Sequence, residues 1–103
     1  MTKKTDDNQF VIIRSTNAGV FAGYLKDENV MARAVVLDGC IRLHAWFGAS
    51  LSQLAVEGSP DHKECRFAMP VDGHKIYEVI EILPCTEVAR KNLQSCEIWR
   101  VGD

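Results

Sequence analysis

The first half of the chain is a series of short β-branched and aromatic segments that are separated by turn-forming residues. The strand-like segments cover residues 10–14, 20–25, 30–37 and 41–47. Turn residues fill the gaps, and Asp38-Gly39 is typical of a tight hairpin turn. Consecutive strands joined by such short turns pair antiparallel with their neighbours. The pattern therefore predicts a strongly curved antiparallel sheet or a small, partly open β-barrel.

Two short helices are predicted among the later strands. Ser50 and Gln53 have capping-box spacing, in which the hydroxyl accepts from the Gln53 N–H and the Gln53 side chain reaches back. This predicts a helix over 51–57 that ends at Gly58. Thr86 is a good N-cap for a second helix over about 87–94. Further strands are predicted at 65–69, 75–83 and 97–101. The expected fold class is α+β and mainly β.

Length and charge limit the organisation of the chain and its partners. The 103 residues suit one domain with one core, which we expect at 10–103 behind a polar N-terminal arm at 1–9. The net charge of −2 argues against a strongly electrostatic nucleic-acid binder. No apolar run approaches the roughly 20 residues that a membrane span needs, and no secretory signal is visible. These features predict a cytoplasmic location without membrane contact.

A candidate ligand site lies where the strand at 41–47 runs into the first helix. Trp46 can stack on a planar ligand, and the N–H groups and hydroxyls at the helix start can accept a phosphate or carboxylate. Arginines can add bidentate contacts, and the 15–19 turn can close over a polar group. The candidate ligand-binding residues are Arg14, Thr16, Asn17, Arg42, Trp46, Ser50, Ser52 and Gln53. The alternative is structural: a core tryptophan, a plain helix cap, solvated arginines and an ordinary hairpin turn.

Catalytic and metal signatures are weak. The chain has no phosphate-binding glycine loop, nucleophile elbow or metalloprotease helix, so we expect no enzyme and no cofactor. Cys40, His44, His62 and Cys65 contain the residue types of a Cys2His2 zinc site, although their spacing is unlike the common knuckle. The simpler interpretation is that the cysteines are free buried thiols in a reducing compartment and that the histidines lie at the surface.

Several segments together resemble a known family. The matching pieces are V-I-I-R-S-T-N-A-G-V-F-A-G at 11–23, the segment from Trp46 to Gly58, the segment from Glu78 to Lys91, and Trp99 near the end. They are similar to an uncharacterised family of small proteins that are encoded mainly by tailed bacteriophages and prophages. The resemblance implies an accessory protein in the host bacterial cytoplasm: a host-takeover or counter-defence protein, a regulator or a minor virion component. Few proteins of this kind are enzymes.

Three functional hypotheses follow. The leading one is a non-enzymatic binding protein that sequesters a nucleotide-like small molecule or blocks a host protein. The alternative is a minor virion or morphogenesis protein, for which Phe21, Tyr24, Phe47 and Trp99 offer an aromatic interface. A second alternative is a weak nucleic-acid-binding module. A homo-oligomer is also plausible, because small β-domains often cover a strand edge by self-association.

Overall fold

The computed structural model describes residues 8–46, 50–60 and 65–99. Its elements, in chain order, are β1 (Phe10–Ser15), β2 (Gly19–Asn29), β3 (Ala34–Ala45), α1 (Leu51–Val56), β4 (Arg66–Phe67), β5 (His74–Ile76), β6 (Val79–Pro84) and α2 (Glu87–Gln94). The sheet order is β4-β3-β2-β1-β6, and β5 also pairs with β3. All of these pairs are antiparallel, and the curved sheet is not closed. The predicted fold class is therefore confirmed.

The inner strand β1, which lies between β2 and β6, is covered on both faces, and this explains its apolar run from Phe10 to Ile13. Phe10 and Ile12 belong to a cluster that includes Leu54 of α1 and Leu93 of α2. We call it the helix-side core. The residues between them on the strand point to a second cluster, the strand-side core, which is built from Val11, Ile13, Phe21, Val35, Leu37, Cys40, Ile76 and Val79. Alternate residues of one strand thus support two cores.

The prediction of a tight turn at Asp38-Gly39 is wrong. The two strands predicted at 30–37 and 41–47 form one strand, β3, while β2 continues through the turn predicted at 26–29. Gly39 has a φ of +56°, and the pairing register shifts here, so that Gly39 and Cys40 lie opposite Gly23. This is the geometry of a bulge with glycine in the left-handed region. Asp-Gly marks a bend in the strand here, and the chain reverses instead at residues 30–33.

Hydrogen bonds from a distant turn hold the bulge in place. The Asp38 carboxylate accepts from the Gly73 N–H, and the Asp72 carboxylate accepts from the Gly39 N–H, both at 2.8 Å. These bonds link the bulge to the turn that precedes β5. Because the partners lie more than 30 residues away, no local pattern around Asp38 reveals them.

The prediction of a single strand at 75–83 is also wrong, because this segment is divided by a corner that Tyr77 and Glu78 form. The strand β5 pairs with β3, whereas β6 pairs with β1. Glu78 adopts a φ of +58° at this corner. Its carbonyl accepts from the Thr16 N–H at 3.0 Å, and the Tyr77 carbonyl accepts from the Ser15 hydroxyl at 2.7 Å. The corner is therefore fixed to the turn between β1 and β2.

Two contacts lie near the limits of the described residues. Gln9, placed in the polar arm, accepts from the Leu25 N–H at 2.8 Å and donates to the Cys85 carbonyl at 3.2 Å. The strand predicted at 97–101 is reduced, within the described residues, to one parallel bridge between Phe67 and Ile98. Residues 1–7 and 100–103 lie outside the described part of the chain.

Both helices form where their capping residues predict them. Ser50 accepts from the Gln53 N–H at 3.1 Å, but the Gln53 side chain donates to Glu57 instead of reaching back. Thr86 accepts from the Ala89 N–H at 3.0 Å and donates to the Val56 carbonyl at 2.6 Å. The second cap therefore connects α2 to the end of α1. Within the described ranges, neither helix has the length and apolarity of a membrane span.

Candidate functional site

An open pocket of about 340 Å³ lies over the strand-side core. Phe21 forms part of its lining, and the β1–β2 turn, β3, β5 and the Tyr77–Glu78 corner surround it. The other polar and aromatic residues that line it are Ser15, Asn17, Arg42, His74, Lys75, Tyr77 and Glu78, of which Lys75 and Tyr77 also line a separate pocket with Asp27 and Val36. We call this site the Arg42 pocket. Its volume is near the lower end of the range for small-molecule sites, which begins at roughly 300 Å³.

Arg42 supplies a half-buried positive charge. It lies directly opposite Phe21 in the β2–β3 pair, and its guanidinium carbon is 4.5 Å from the centre of that ring. One nitrogen, Nη1, donates to the Ala18 carbonyl at 2.6 Å. Among the described residues Arg42 forms no ion pair. A partly desolvated cation without a counter-ion favours an anionic partner.

His74 also contacts Phe21. The two rings meet edge to face, with centroids 5.2 Å apart. Burial, and to a lesser extent the positive charge of Arg42, lowers the pKa of His74 below its ordinary value. The imidazole is therefore neutral at pH 7. Its Nδ1 atom is buried and has no hydrogen-bond partner in the described structure.

Glu78 places a carboxylate at the rim of the pocket. Its Oε1 atom accepts from the side-chain amide of Asn17, so that the β1–β2 turn and the corner are joined across the rim. The positive φ of Glu78 is unusual for a residue with a side chain, and such backbone strain is found preferentially at functional sites. Lys75 and Tyr77, on either side of Ile76, are both exposed.

The structure brings together some of the ligand-binding residues predicted from the sequence. Asn17 and Arg42 both line the pocket. Thr16 is next to it, because its N–H donates to the Glu78 carbonyl. Arg14 lies in β1, two residues before Thr16, and its Nε is 2.9 Å from Oε1 of Glu81. The β1–β2 turn and one of the two predicted arginines therefore belong to the same site.

The residues predicted at the strand–helix corner do not join this site. Trp46 packs half-buried against the helix-side core. Ser50 is the cap of α1, Ser52 is exposed, and Gln53 bonds to Glu57. None of these four residues lines the Arg42 pocket. Residues 47–49, whose N–H groups belonged to the predicted anion site, lie outside the described residues.

Sequence reasoning missed four residues of the pocket, namely His74, Lys75, Tyr77 and Glu78. The sequence predicted a single strand across 75–83, so it did not reveal the corner that brings Tyr77 and Glu78 to the β1–β2 turn. A lone histidine after Asp72-Gly73 reads as part of a turn. The only available signal was the imperfect alternation of polar and apolar residues along 75–83, which accompanies the change of pairing partner.

The three described residues of the zinc hypothesis, Cys40, His44 and Cys65, do not form a metal-binding cluster. Burial raises the pKa of the Cys40 thiol to about 12. The ring of His44 contacts that of Trp99 with centroids 5.2 Å apart, and Cys65 Sγ lies 3.0 Å from Ser59 Oγ. No cluster of three potential metal ligands occurs among the residues that the structure describes. His62 lies outside them. None of the four cysteines, all of which are described, forms a disulfide.

The aromatic residues proposed for a protein interface do not form one exposed surface. Phe21 is fully buried beneath the Arg42 pocket, and this part of the expectation is wrong. The Tyr24 hydroxyl accepts from Arg90 at 3.2 Å on the helix side of the sheet. Trp99 is half-buried, with the Arg66 guanidinium 5.6 Å from its ring centre. Phe47 lies outside the described residues.

Comparison with known proteins gives a family. Neither a curated protein nor a solved structure matches the chain. The family model described as a domain of unknown function, DUF6948, matches residues 8–93. This range begins just before β1 and ends within α2, so it contains the complete sheet and all the residues of the Arg42 pocket. The chain therefore belongs to the DUF6948 family, an uncharacterised family of domains of unknown function.

Proposed function

We propose that this chain is a non-enzymatic binding protein that holds a small, anionic, nucleotide-like molecule in the Arg42 pocket. The observation that carries the proposal is the half-buried Arg42 guanidinium, which has no ion-pair partner among the described residues. Most of its donor hydrogens are not used by Ala18, and a phosphate or carboxylate suits their planar arrangement.

The hydrogen bonding of the pocket favours binding over catalysis. A serine nucleophile needs a base within hydrogen-bond reach. The Ser15 hydroxyl instead donates to the Tyr77 carbonyl at 2.7 Å, although His74 lines the same pocket. The imidazole has its ring against Phe21 and its Nδ1 buried. These groups hold the corner and the floor of the pocket together, as a binding site requires.

The biological setting in this proposal is a phage accessory role in the host bacterial cytoplasm. It is supported by the sequence segments that resemble phage and prophage proteins. Sequestration of a small molecule would serve host takeover or counter-defence, because it removes a signal or metabolite in proportion to the amount of protein. Infection of hosts that express the wild-type chain or Arg42→Gln tests this role. We expect the wild-type chain to change the outcome of infection and Arg42→Gln to have no such effect.

Native mass spectrometry tests the binding function directly. The full chain is purified from expressing cells and measured before and after denaturation, together with Arg42→Gln and Arg14→Gln. Arg14 is the matched control, because it is an arginine of the same sheet whose ion pair with Glu81 lies outside the pocket. We expect a small anionic molecule to be released from the wild type and from Arg14→Gln but to be strongly depleted in Arg42→Gln. Ligand-free spectra for all three proteins would contradict the proposal.

A second candidate function is the blocking of a host protein, and the tip of the β2–β3 hairpin favours it. Val30 and Met31 are 73 % and 95 % exposed at this tip. Exposed large apolar side chains that lie together are characteristic of interaction sites. Affinity capture from host lysate with wild type, Met31→Asp and the control Met69→Asp tests this function. A host protein lost only with Met31→Asp would support it, and identical captures would exclude the hairpin tip.

A further inference from the structure

We infer that Cys65 and Cys96 are an oxidative modification site, at which the two thiols form a reversible disulfide by exchange with a low-molecular-weight disulfide. This inference does not depend on the proposed binding function. Three features of the structure support it: the backbone brings the two cysteines together, their thiols interact, and neighbouring hydrogen bonds hold both side chains in place.

Two chain segments meet beside β4 and bring the cysteines together. Phe67 of β4 forms a parallel bridge with Ile98, and its carbonyl accepts from the Trp99 N–H at 2.9 Å. Cys65 and Cys96 each lie two residues before a member of this bridge, and both pack against the helix-side core. The segments run in the same direction, so residues at equal distances before the bridge approach each other. Paired strands lie about 5 Å apart, and a disulfide spans Cα separations of about 4.4–6.8 Å.

The two thiols are within hydrogen-bond reach of each other. Burial, and then the neighbouring Cys65 thiol, raises the pKa of the Cys96 thiol to about 12. Cys96 therefore keeps its proton, and Cys65 is the thiol of the pair that ionises first. For Cys40 and Cys85, burial raises the pKa to about 12 and about 11 without a contribution from another thiol. The interaction between thiols is therefore specific to Cys65 and Cys96.

Hydrogen bonds next to the pair hold both side chains in this arrangement. Cys65 Sγ lies 3.0 Å from Ser59 Oγ, and Cys96 Sγ lies 3.7 Å from the carbonyl oxygen of Asn92. Ser59 and Asn92 are themselves joined, because the Ser59 N–H donates to Asn92 Oδ1 at 2.8 Å and the Asn92 amide donates to the Ser59 carbonyl at 3.2 Å. Both thiols of the pair belong to half-buried residues, so a small reagent can reach them more easily than the two buried cysteines.

The exchange with glutathione disulfide takes two steps. The Cys65 thiolate attacks one sulfur of the reagent, which forms a mixed disulfide at Cys65 and releases one glutathione thiolate. Cys96 then gives its proton to that thiolate and attacks Cys65 Sγ, which forms the bond between the two cysteines and releases the second glutathione, protonated by the proton that Cys65 lost. The dithiol is thereby oxidised by two electrons, and glutathione disulfide is reduced to two thiols. In a reducing compartment, disulfides of this kind are usually transient and redox-sensing.

The disulfide would link the residue before β4 to the segment that follows α2. It closes a loop of about 30 residues, and such a cross-link restricts the unfolded chain more than the folded one. The oxidised protein should therefore unfold at a higher urea concentration than the reduced protein.

Equilibration of the full chain in glutathione buffers tests the inference. The protein is incubated at several ratios of reduced to oxidised glutathione, its remaining thiols are alkylated in acid, and peptide mass spectrometry identifies the linked cysteines. The variants are Cys65→Ser and Cys96→Ser, with Cys85→Ala as the matched control from the same core. Circular dichroism shows whether each variant is folded. The mapping of the wild-type disulfide is decisive even if a variant does not fold.

We expect oxidised glutathione to produce a linked Cys65–Cys96 peptide in the wild type and in Cys85→Ala, and excess reduced glutathione to restore both thiols. Cys96→Ser should stop at the mixed disulfide on Cys65, whereas Cys65→Ser should react more slowly because Cys96 keeps its proton. The urea midpoint of the wild type should rise on oxidation, and that of Cys96→Ser should not.

A wild-type protein that keeps all its thiols in excess oxidised glutathione would overturn the inference. A link between any other two cysteines, or mixed disulfides alone, would overturn it as well. A Cys65–Cys96 disulfide that excess reduced glutathione cannot reduce would contradict its reversibility. None of these outcomes bears on ligand binding at Arg42, which native mass spectrometry decides separately.

Discussion

Replacement of Gly58 by alanine should destabilise the fold more than the same change at any other described glycine with a positive φ. Gly58 ends α1 with a φ of +86°, and its N–H donates to the carbonyls of Gln53 and Leu54. An added Cβ would lie 2.4 Å from Asn92 Cγ and 2.5 Å from Asn92 Cβ. Because Asn92 Cβ is attached directly to the backbone of α2, a rotation of the side chain cannot relieve the clash.

The expected loss has two parts. A residue other than glycine in the left-handed region costs about 1–2 kcal/mol. Displacement of Asn92 breaks two bonds to the backbone of Ser59, one accepted at 2.8 Å and one donated at 3.2 Å. At a net value of about 1 kcal/mol each, these bonds add about 2 kcal/mol. The total of about 3–4 kcal/mol is a large fraction of a typical domain stability of about 5–15 kcal/mol.

Urea unfolding followed by circular dichroism measures this loss. Gly73→Ala is the matched control, because Gly73 has a φ of +67° but open space around the added Cβ, so only the backbone term remains. Asn92→Ala isolates the side-chain hydrogen bonds. We expect Gly58→Ala to lose about 2 kcal/mol more than Gly73→Ala. Equal losses for the two glycine variants would refute the argument that α1 and α2 approach each other too closely for a side chain at Gly58.

Three further predictions concern other parts of the fold. Gly23→Ala should cost about 1–3 kcal/mol in urea unfolding, because its Cβ would lie 3.0 Å from Asp38 O and Cys40 Cα at the bulge; an unchanged midpoint would contradict this. Thr86→Ala should cost about 1–2 kcal/mol, since it removes the α2 cap and the bond to Val56, whereas exposed Ser52→Ala should cost less. Burial raises the pKa of the Cys40 thiol from 9.0 to about 12, so the unfolded chain loses this proton first and stability should fall as the pH rises from 9 towards 12. The free energy of unfolding, measured between pH 8 and 11, should fall less steeply with pH in Cys40→Ala than in the wild type. Identical slopes would contradict this effect of the Cys40 thiol.

Features that depend on neighbouring residues could be predicted from the sequence. The caps at Ser50 and Thr86 and the glycine that ends α1 lie within a few residues of the hydrogen bonds that they form or permit. The turn between β1 and β2 is equally local, and Gly19 takes a positive φ there. Because the groups that interact are close in sequence, the residue pattern contains the necessary information.

Features that depend on distant partners could not be predicted. Asp38-Gly39 has the composition of a hairpin turn, but bonds to Asp72 and Gly73 hold it as a bulge within β3. The 75–83 run divides because β3 pairs with its first part and β1 with its second. An alternating pattern indicates which side chains share a face but not which strand pairs with them.

The same limit explains why only part of the predicted ligand site came together. Ile41 and Leu43 of β3 belong to the helix-side core, so Arg42 between them points to the opposite face of the sheet. The α1 helix lies on the helix side, where Trp46 also packs. A small ligand at Arg42 therefore meets β5 and the Tyr77–Glu78 corner rather than the start of α1. Trp46→Ala should act on folding through the helix-side core, whereas Arg42→Gln should act on ligand affinity. Substitutions on the helix-side face of β3 should therefore change stability, whereas substitution of Arg42 on its other face should change binding.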